Sequence, residues 1–221
     1  MSFRAAVHYN DWWTAIDVPG WTADFIDRYS VLDYLPKLTE ITDDDGKFVF
    51  IDNEAIHDPG FVLPPDYRPV DSKVSTELFK VSPLSEDPAF HAMTGSLKCI
   101  CTWLDYLKEN GIYDNTRIII ASDHGSYHSF TNSKSLPRNI EWFNPLLMVK
   151  DFDEEKEFQI NNEFMTQADV PAIAIEDVID EAINPFTGNK ISKISQTEKQ
   201  KKTIISFGKA NRVLATENNC F

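Results

Sequence analysis

Cysteine is nearly missing from this chain: three occur in 221 residues, Cys99, Cys101 and Cys220. Cys99 and Cys101 lie too close together on an expected helix to bridge each other easily, so no disulfide framework is implied. Long apolar runs are missing too. No stretch approaches the roughly 18 consecutive apolar residues of a membrane span, and the opening Met-Ser-Phe-Arg lacks the apolar core of a signal peptide. The chain as it stands is expected to be soluble, with no signal peptide and no transmembrane segment. Positive charge is the third deficit. With 21 Lys and Arg against 35 Asp and Glu, the formal charge is −14. That balance argues against nucleic acid as a partner, because phosphate binding needs an exposed basic surface. A bound cation stays compatible with it. Internal repeats and long low-complexity tracts are not seen.

What is present is enough apolar material, 42% of residues with 12% aromatic, for one sizeable core or at most two small ones, and one domain is expected. Phe3 to Tyr9 reads as a short strand. Phe25, Ile26, Tyr29, Leu32 and Leu35 have helical spacing, with Thr22 as a cap and Pro36 as the break. The apolar run Phe48-Val49-Phe50-Ile51 predicts a buried strand, and the prolines between residues 61 and 87 predict a long surface excursion. From Pro88 to about Asn110, Ala92, Ser96, Cys99, Trp103 and Leu107 share one helical face opposite Lys98, Thr102, Asp105 and Glu109, and Gly111 supplies the stop. Ile118-Ile119-Ile120-Ala121 reads as a second buried strand. Strand, helix, strand predicts a parallel pair joined by a right-handed crossover. Pro145 to Val149 reads as a third strand. Thr166 or Asp169 can cap a helix carrying Val170, Ile173, Ala174, Val178 and Ile179, with Pro171 in its first turn.

The chemistry-bearing residues cluster at expected strand ends, where α/β sheets place their sites. Ser122-Asp123-His124-Gly125 follows the run at Ile118. A carboxylate beside an imidazole offers oxygen and nitrogen donors suited to Zn²⁺ or Mn²⁺ more than to Ca²⁺ or Mg²⁺, and Gly125 lets the backbone turn without a side chain in the way. The plainer reading is that Asp123 caps a turn while His124 bonds locally. After Phe48 to Ile51 come Asn53 and His57; His57 can ligate a metal or donate to an anionic oxygen, or simply occupy the surface turn at Asp58-Pro59-Gly60. His128, Lys134 and Arg138 sit in a polar loop where they can contact an anion or be solvated. His91 is expected to serve helix packing, and His8 with nearby tryptophans to pack among aromatics.

Arg117-Ile118-Ile119-Ile120-Ala121-Ser122-Asp123-His124-Gly125, preceded by Lys108-Glu109-Asn110-Gly111-Ile112-Tyr113-Asp114-Asn115-Thr116, closely resembles the second metal-binding segment of sulfatases and lipoteichoic acid synthase-like phosphoglycerol transferases of the alkaline phosphatase superfamily. Phe48 to Pro59, Phe143 to Lys150 and Thr166-Gln167-Ala168-Asp169-Val170-Pro171-Ala172 are similar to further family segments in the same order. The resemblance implies an α/β fold, an alkaline-phosphatase-like sandwich with a mostly parallel central sheet flanked by helices. It implies a partial catalytic domain over residues 1–193 and a polar tail over 194–221. Asp123 and His124 inherit metal-ligand roles, and His57 inherits contact with a transferring phosphoryl or sulfuryl oxygen. Asn53, His128 and Arg138 become candidate substrate-binding residues. The implied activity is metal-dependent hydrolysis or transfer at sulfate esters or phosphodiesters of cell-envelope lipids or glycans, on the extracytoplasmic face of the membrane where full-length relatives are often anchored.

The family's acidic ligand and its Thr, Ser or modified Cys nucleophile precede the segment matching Phe48, and no match for either is found among residues 1–47. The chain thus resembles the later two-thirds of such a domain, with its nucleophile unknown. By itself it is expected to be inactive. The alternative class is a noncatalytic or degenerate domain that binds a metal or anion without turnover.

Overall fold

Phe25, Tyr29 and Leu32 recur at the three- and four-residue spacing that places side chains on one helix face. In the computed structural model they are the buried face of helix α1, Gly20–Asp33. The structure describes residues 20–43, 46–57, 62–69, 88–125, 144–163 and 165–191. The expected strand at Phe3, His8, and the 194–221 tail lie outside these. The chain divides into two compact units, Met1–Asn115 and Thr116–Phe221.

In the amino-terminal unit α1 begins two residues before Thr22. Pro36 does not merely end a helix. It opens a short second one, α2 (Leu35–Leu38), from a first-turn position where its missing N–H costs nothing. Helix α3 (Pro88–Glu109) follows the predicted pattern: Ala92, Ser96, Cys99 and Leu107 are buried, whereas Lys98, Thr102, Asp105 and Glu109 are exposed. Gly111 takes a φ of 71°, the left-handed conformation that ends a helix without a Cβ clash. Phe25, Tyr29, Leu32 and Leu35 close on Ala92 and Cys99 of α3, with Ala55 and Val62. Each large apolar side chain buried there stabilises the unit by about 1.5–3 kcal/mol. Val62–Leu63 (β1) and Arg68–Pro69 (β2) form a small antiparallel pair within what was expected to be an irregular excursion. Thr39 joins α2 to α3: its hydroxyl donates to Leu35 O and accepts from Trp103 Nε1, both at 2.8 Å, and its carbonyl accepts from the Tyr106 hydroxyl at 3.2 Å.

One expected strand is absent. Phe48 to Ile51 forms no strand, and Phe48 and Phe50 are 78% and 80% exposed. An apolar run becomes a buried strand only when a neighbouring edge pairs with it and both faces are covered, and no described segment does so. His91, by contrast, packs as expected; it is buried against Phe90 and Tyr67.

In the carboxyl-terminal unit, Ile118–Ala121 (β3) pairs with Leu147–Lys150 (β4), from Ile118 opposite Lys150 to Ala121 opposite Leu147. The pairing is antiparallel, which corrects the mostly parallel sheet: both sheets among the described residues are two-stranded and antiparallel. Antiparallel neighbours need no crossover helix to join them. The arrangement is mixed helix and strand, loosely of the α/β class. Ile118 to Ile120 are half-buried, not fully buried as expected. Residues 167–169 form one 3₁₀ turn that leads into helix α4, Val170–Ile175, which packs on β3. Helix α4 stops before Val178 and Ile179, which are exposed: Glu176 is extended (ψ 131°) and Asp177 has a φ of 59°.

Gly95 faces Tyr29 so closely that a Cβ there would lie 2.5 Å from the Tyr29 hydroxyl. That ring is buried and its hydroxyl donates to Tyr67 O at 2.8 Å, so it cannot swing aside. Gly95→Ala should therefore lower stability by about 1 kcal/mol in urea unfolding, because overpacking of ~1–3 kcal/mol exceeds the ~1 kcal/mol gain in helix propensity. A rise in stability would refute the close packing. Burial also pushes the Tyr29 phenol above its ordinary value of 10.0 and the Cys99 thiol above 9.0. Both stay protonated in the folded unit at pH values where the unfolded chain is already losing those protons. Stability should be fully present below the Cys99 value of 9.0 and fall as pH rises past it and then past the Tyr29 value of 10.0. Urea midpoints measured from neutral pH upward test this, and Cys99→Ala and Tyr29→Phe should each flatten the decline.

Candidate functional site

Strand β3 carries the candidate pair at its carboxyl end, and its beginning is held by Arg117. The Arg117 side chain is only 6% exposed. Its Nη2 lies 2.8 Å from Asp151 Oδ1 and its Nε donates to the same oxygen at 2.9 Å. Nη1 donates to Ile173 O at 2.9 Å, in the last turn of α4, and to Glu176 O just beyond its end. The guanidinium also lies over the Phe152 ring, 4.6 Å from its centroid. One planar cation thereby ties β3, the segment after β4 and the end of α4 together.

At the other end of β3, Ser122 closes the ladder. Its N–H donates to Leu146 O at 3.0 Å and its hydroxyl accepts from Leu146 N at 2.7 Å. Asp123 Oδ1 accepts from the His124 backbone N–H at 2.9 Å, the local turn bond foreseen from the sequence. The carboxylate nevertheless keeps a second oxygen on the imidazole side: Oδ2 lies 3.5 Å from His124 Nε2. His124 Nδ1 lies 2.6 Å from Gly125 O. A carbonyl only accepts, so Nδ1 carries a proton, and in the neutral form of the ring the lone pair is then on Nε2, the nitrogen beside Asp123. Donors about 2.0–2.1 Å from one tetrahedral ion stand roughly 3.4 Å apart, so Oδ2 and Nε2 fit as two donors to a shared divalent cation. The Asp123 side chain is 85% exposed and that of His124 is 30% exposed, leaving the pair accessible from solvent. Among the described residues no group of three or more His, Cys, Asp or Glu side chains is arranged to hold an ion.

His57 and Asn53 belong to the amino-terminal unit. His57 ends a turn in which its N–H donates to Glu54 O at 3.0 Å. Asn53 holds that turn to α1: Nδ2 donates to Arg28 O at 2.9 Å and Oδ1 accepts from Ala55 N at 3.0 Å. His128, Lys134 and Arg138 lie outside the described residues. Among the described residues no helix is long and apolar enough to cross a membrane. An open groove of about 210 Å³ lies between α4 and residues 179–191, lined by Ala172, Ile175 and Ile191 among others; it includes none of the candidate residues.

Two residues at this site were not singled out from the sequence. Arg117 was legible only as one member of the resembling segment. Gln167 donates from Nε2 to Ser122 O at 2.9 Å and to Asp123 O at 3.0 Å. Gln167, too, was legible only as one member of a resembling segment, and it lies between Thr166 and Asp169, which form a capping box here. Comparison with protein-family models, with curated proteins and with solved structures finds no match.

If Arg117 organises this unit, Arg117→Met should destabilise it by about 2–3 kcal/mol, since its bonds to two backbone carbonyls and its buried pairing with a carboxylate are lost. Asp151→Asn should cost only about 1 kcal/mol, because that carboxylate is partly exposed and water screens the pair. Amide exchange at Ile119 and Val149 is the measurement, and equal small effects from both substitutions would remove the organising role.

Proposed function

We propose that this chain carries part of a metal-dependent hydrolase or transferase centre of the sulfatase and phosphoglycerol or phosphoethanolamine transferase kind. Asp123 and His124 bind a divalent cation, Mn²⁺ or Zn²⁺. The observation that carries this reading is the 3.5 Å approach of Asp123 Oδ2 and His124 Nε2 at the end of β3, with the imidazole tautomer set by Gly125 O. The resemblance of residues 117–125 to a sulfatase-type metal segment adds the substrate class: sulfate esters or phosphodiesters of cell-envelope lipids or glycans.

In this reading Asp123 and His124 hold the cation, whose charge offsets that of nonbridging substrate oxygens and lowers the pKa of a nucleophile. Gly125 O keeps the proton on Nδ1 and so keeps Nε2 a donor to the ion. By the resemblance, the role expected of His57 is donation to an oxygen of a transferring group as charge develops on it, and Asn53, His128 and Arg138 remain candidate substrate contacts. The nucleophile is not identified, so these residues by themselves account for binding and charge stabilisation and not for a covalent step.

Calorimetric titration with Mn²⁺ and Zn²⁺ tests the reading. The chain should bind at least one of the two, and Asp123→Ala and His124→Ala should each weaken binding about tenfold or more. Unchanged affinity in both variants sinks the ligand assignment. Chromogenic phosphodiesters and sulfate esters should show negligible turnover with the 221-residue chain. Robust metal-dependent turnover would instead reveal a nucleophile within these residues.

A further inference from the structure

We propose that Gln167 is a positioning residue for the Asp123–His124 pair, an inference that rests on the ligand role proposed for that pair. Gln167 Nε2 sits 2.9 Å from Ser122 O and 3.0 Å from Asp123 O. Both partners are carbonyls and can only accept, so the atom between them is the amide nitrogen and each of its hydrogens has an acceptor. The two carbonyls belong to the peptide units on either side of the Asp123 α carbon. Holding both planes restricts φ and ψ of Asp123, and with them the direction in which its carboxylate leaves the chain. The second of these peptides also carries the His124 N–H, which donates to Asp123 Oδ1 at 2.9 Å. One side-chain amide therefore constrains both the carboxylate and the start of the histidine.

The base of Gln167 is fixed in turn. Asp169 is buried, and its Oδ2 accepts from the Thr166 N–H at 2.8 Å and from the Thr166 hydroxyl at 3.0 Å. This box starts the turn at Gln167, and Pro171 continues it into α4. Helix α4 packs on β3, so the amide is delivered from the element that covers the same strand whose end it holds. Asp123 is highly exposed, and packing alone does not hold an exposed ligand turn in one geometry before an ion arrives. Two hydrogen bonds from an anchored amide do so, which is how residues behind a metal ligand raise affinity without touching the metal.

The substitutions Gln167→Met and Gln167→Glu separate positioning from charge. Met keeps the length and removes both donors. Glu keeps the shape, removes both donors and adds a negative charge that by itself favours a cation. Mn²⁺ titration of the full chain should show both variants binding about ten- to a hundredfold more weakly. In the metal-free protein, NMR water-exchange rates of the His124 and Gly125 amides should rise, while the Ile119 and Ile120 amides and the melting temperature stay near wild type. If the wild type binds Mn²⁺ and both variants bind it equally well, positioning is overturned. Tighter binding by Gln167→Glu with unchanged exchange at His124 would assign the residue an electrostatic role and overturn it also. If the wild type binds neither Mn²⁺ nor Zn²⁺, the ligand reading fails separately. The exchange rates then decide for Gln167: faster exchange at His124 retains the clamp, and unchanged exchange removes it. Should Gln167→Met not fold, the isosteric Gln167→Glu carries the same comparisons.

Discussion

Among the described residues of the carboxyl-terminal unit, the buried Arg117 side chain meets three segments at once. Among the described residues the unit's strands and α-helix are short, two strands of four residues and a helix of six, and none is long enough to be stable by itself. Arg117 brings them together because a guanidinium cannot give up its charge and must satisfy its donors wherever it is buried. Here the acceptors are the Asp151 carboxylate and two carbonyls, one in the last turn of α4 and one just beyond its end. Burying such a group is costly when any donor is unmatched, so the same requirement that makes Arg117 expensive makes the arrangement around it specific. Strand β3 runs from this charge to Asp123, and the candidate site inherits its footing from the far end of a four-residue strand.

The amino-terminal unit is held differently. Its core is apolar and local, with α1 and α2 laid against α3 around a tyrosine that occupies the space a side chain at position 95 would need. Among the described residues, polar contacts between its elements include Tyr29 to Tyr67, Thr39 to Trp103 and Tyr106, and Arg28 to Glu54. Residues 53–57 are tied to α1 through Asn53, so His57 sits on a turn whose backbone is anchored although its side chain is exposed.

At the candidate site, ordinary turn contacts leave over the atoms that the proposed ligand role would use. A carboxylate has two oxygens, and Asp123 uses one for the His124 amide while the other lies near the imidazole. The ring likewise has two nitrogens, and Gly125 O engages the one farther from that oxygen. The local contacts of an everyday turn are thus what present the remaining donor atoms together, so a turn-capping role and a ligand role are not competing descriptions of this pair.

Features that depend on neighbours within a few residues were legible in the sequence. The face of α3 follows from side-chain spacing, its end from a glycine that tolerates positive φ, and the start of α4 from a cap at Thr166 or Asp169 with proline in the first turn. The placement of Asp123-His124 just beyond an apolar run was legible for the same reason. Tertiary structure alone decided the antiparallel direction of β3 and β4, because alternation along a strand says nothing about which way its partner runs. It also decided that Phe48 to Ile51 stays exposed, since burial of a strand belongs to the sheet around it and not to its own apolarity. The roles of Arg117 and Gln167 were equally out of reach: most of their acceptors are backbone carbonyls, which every residue carries and no sequence pattern marks.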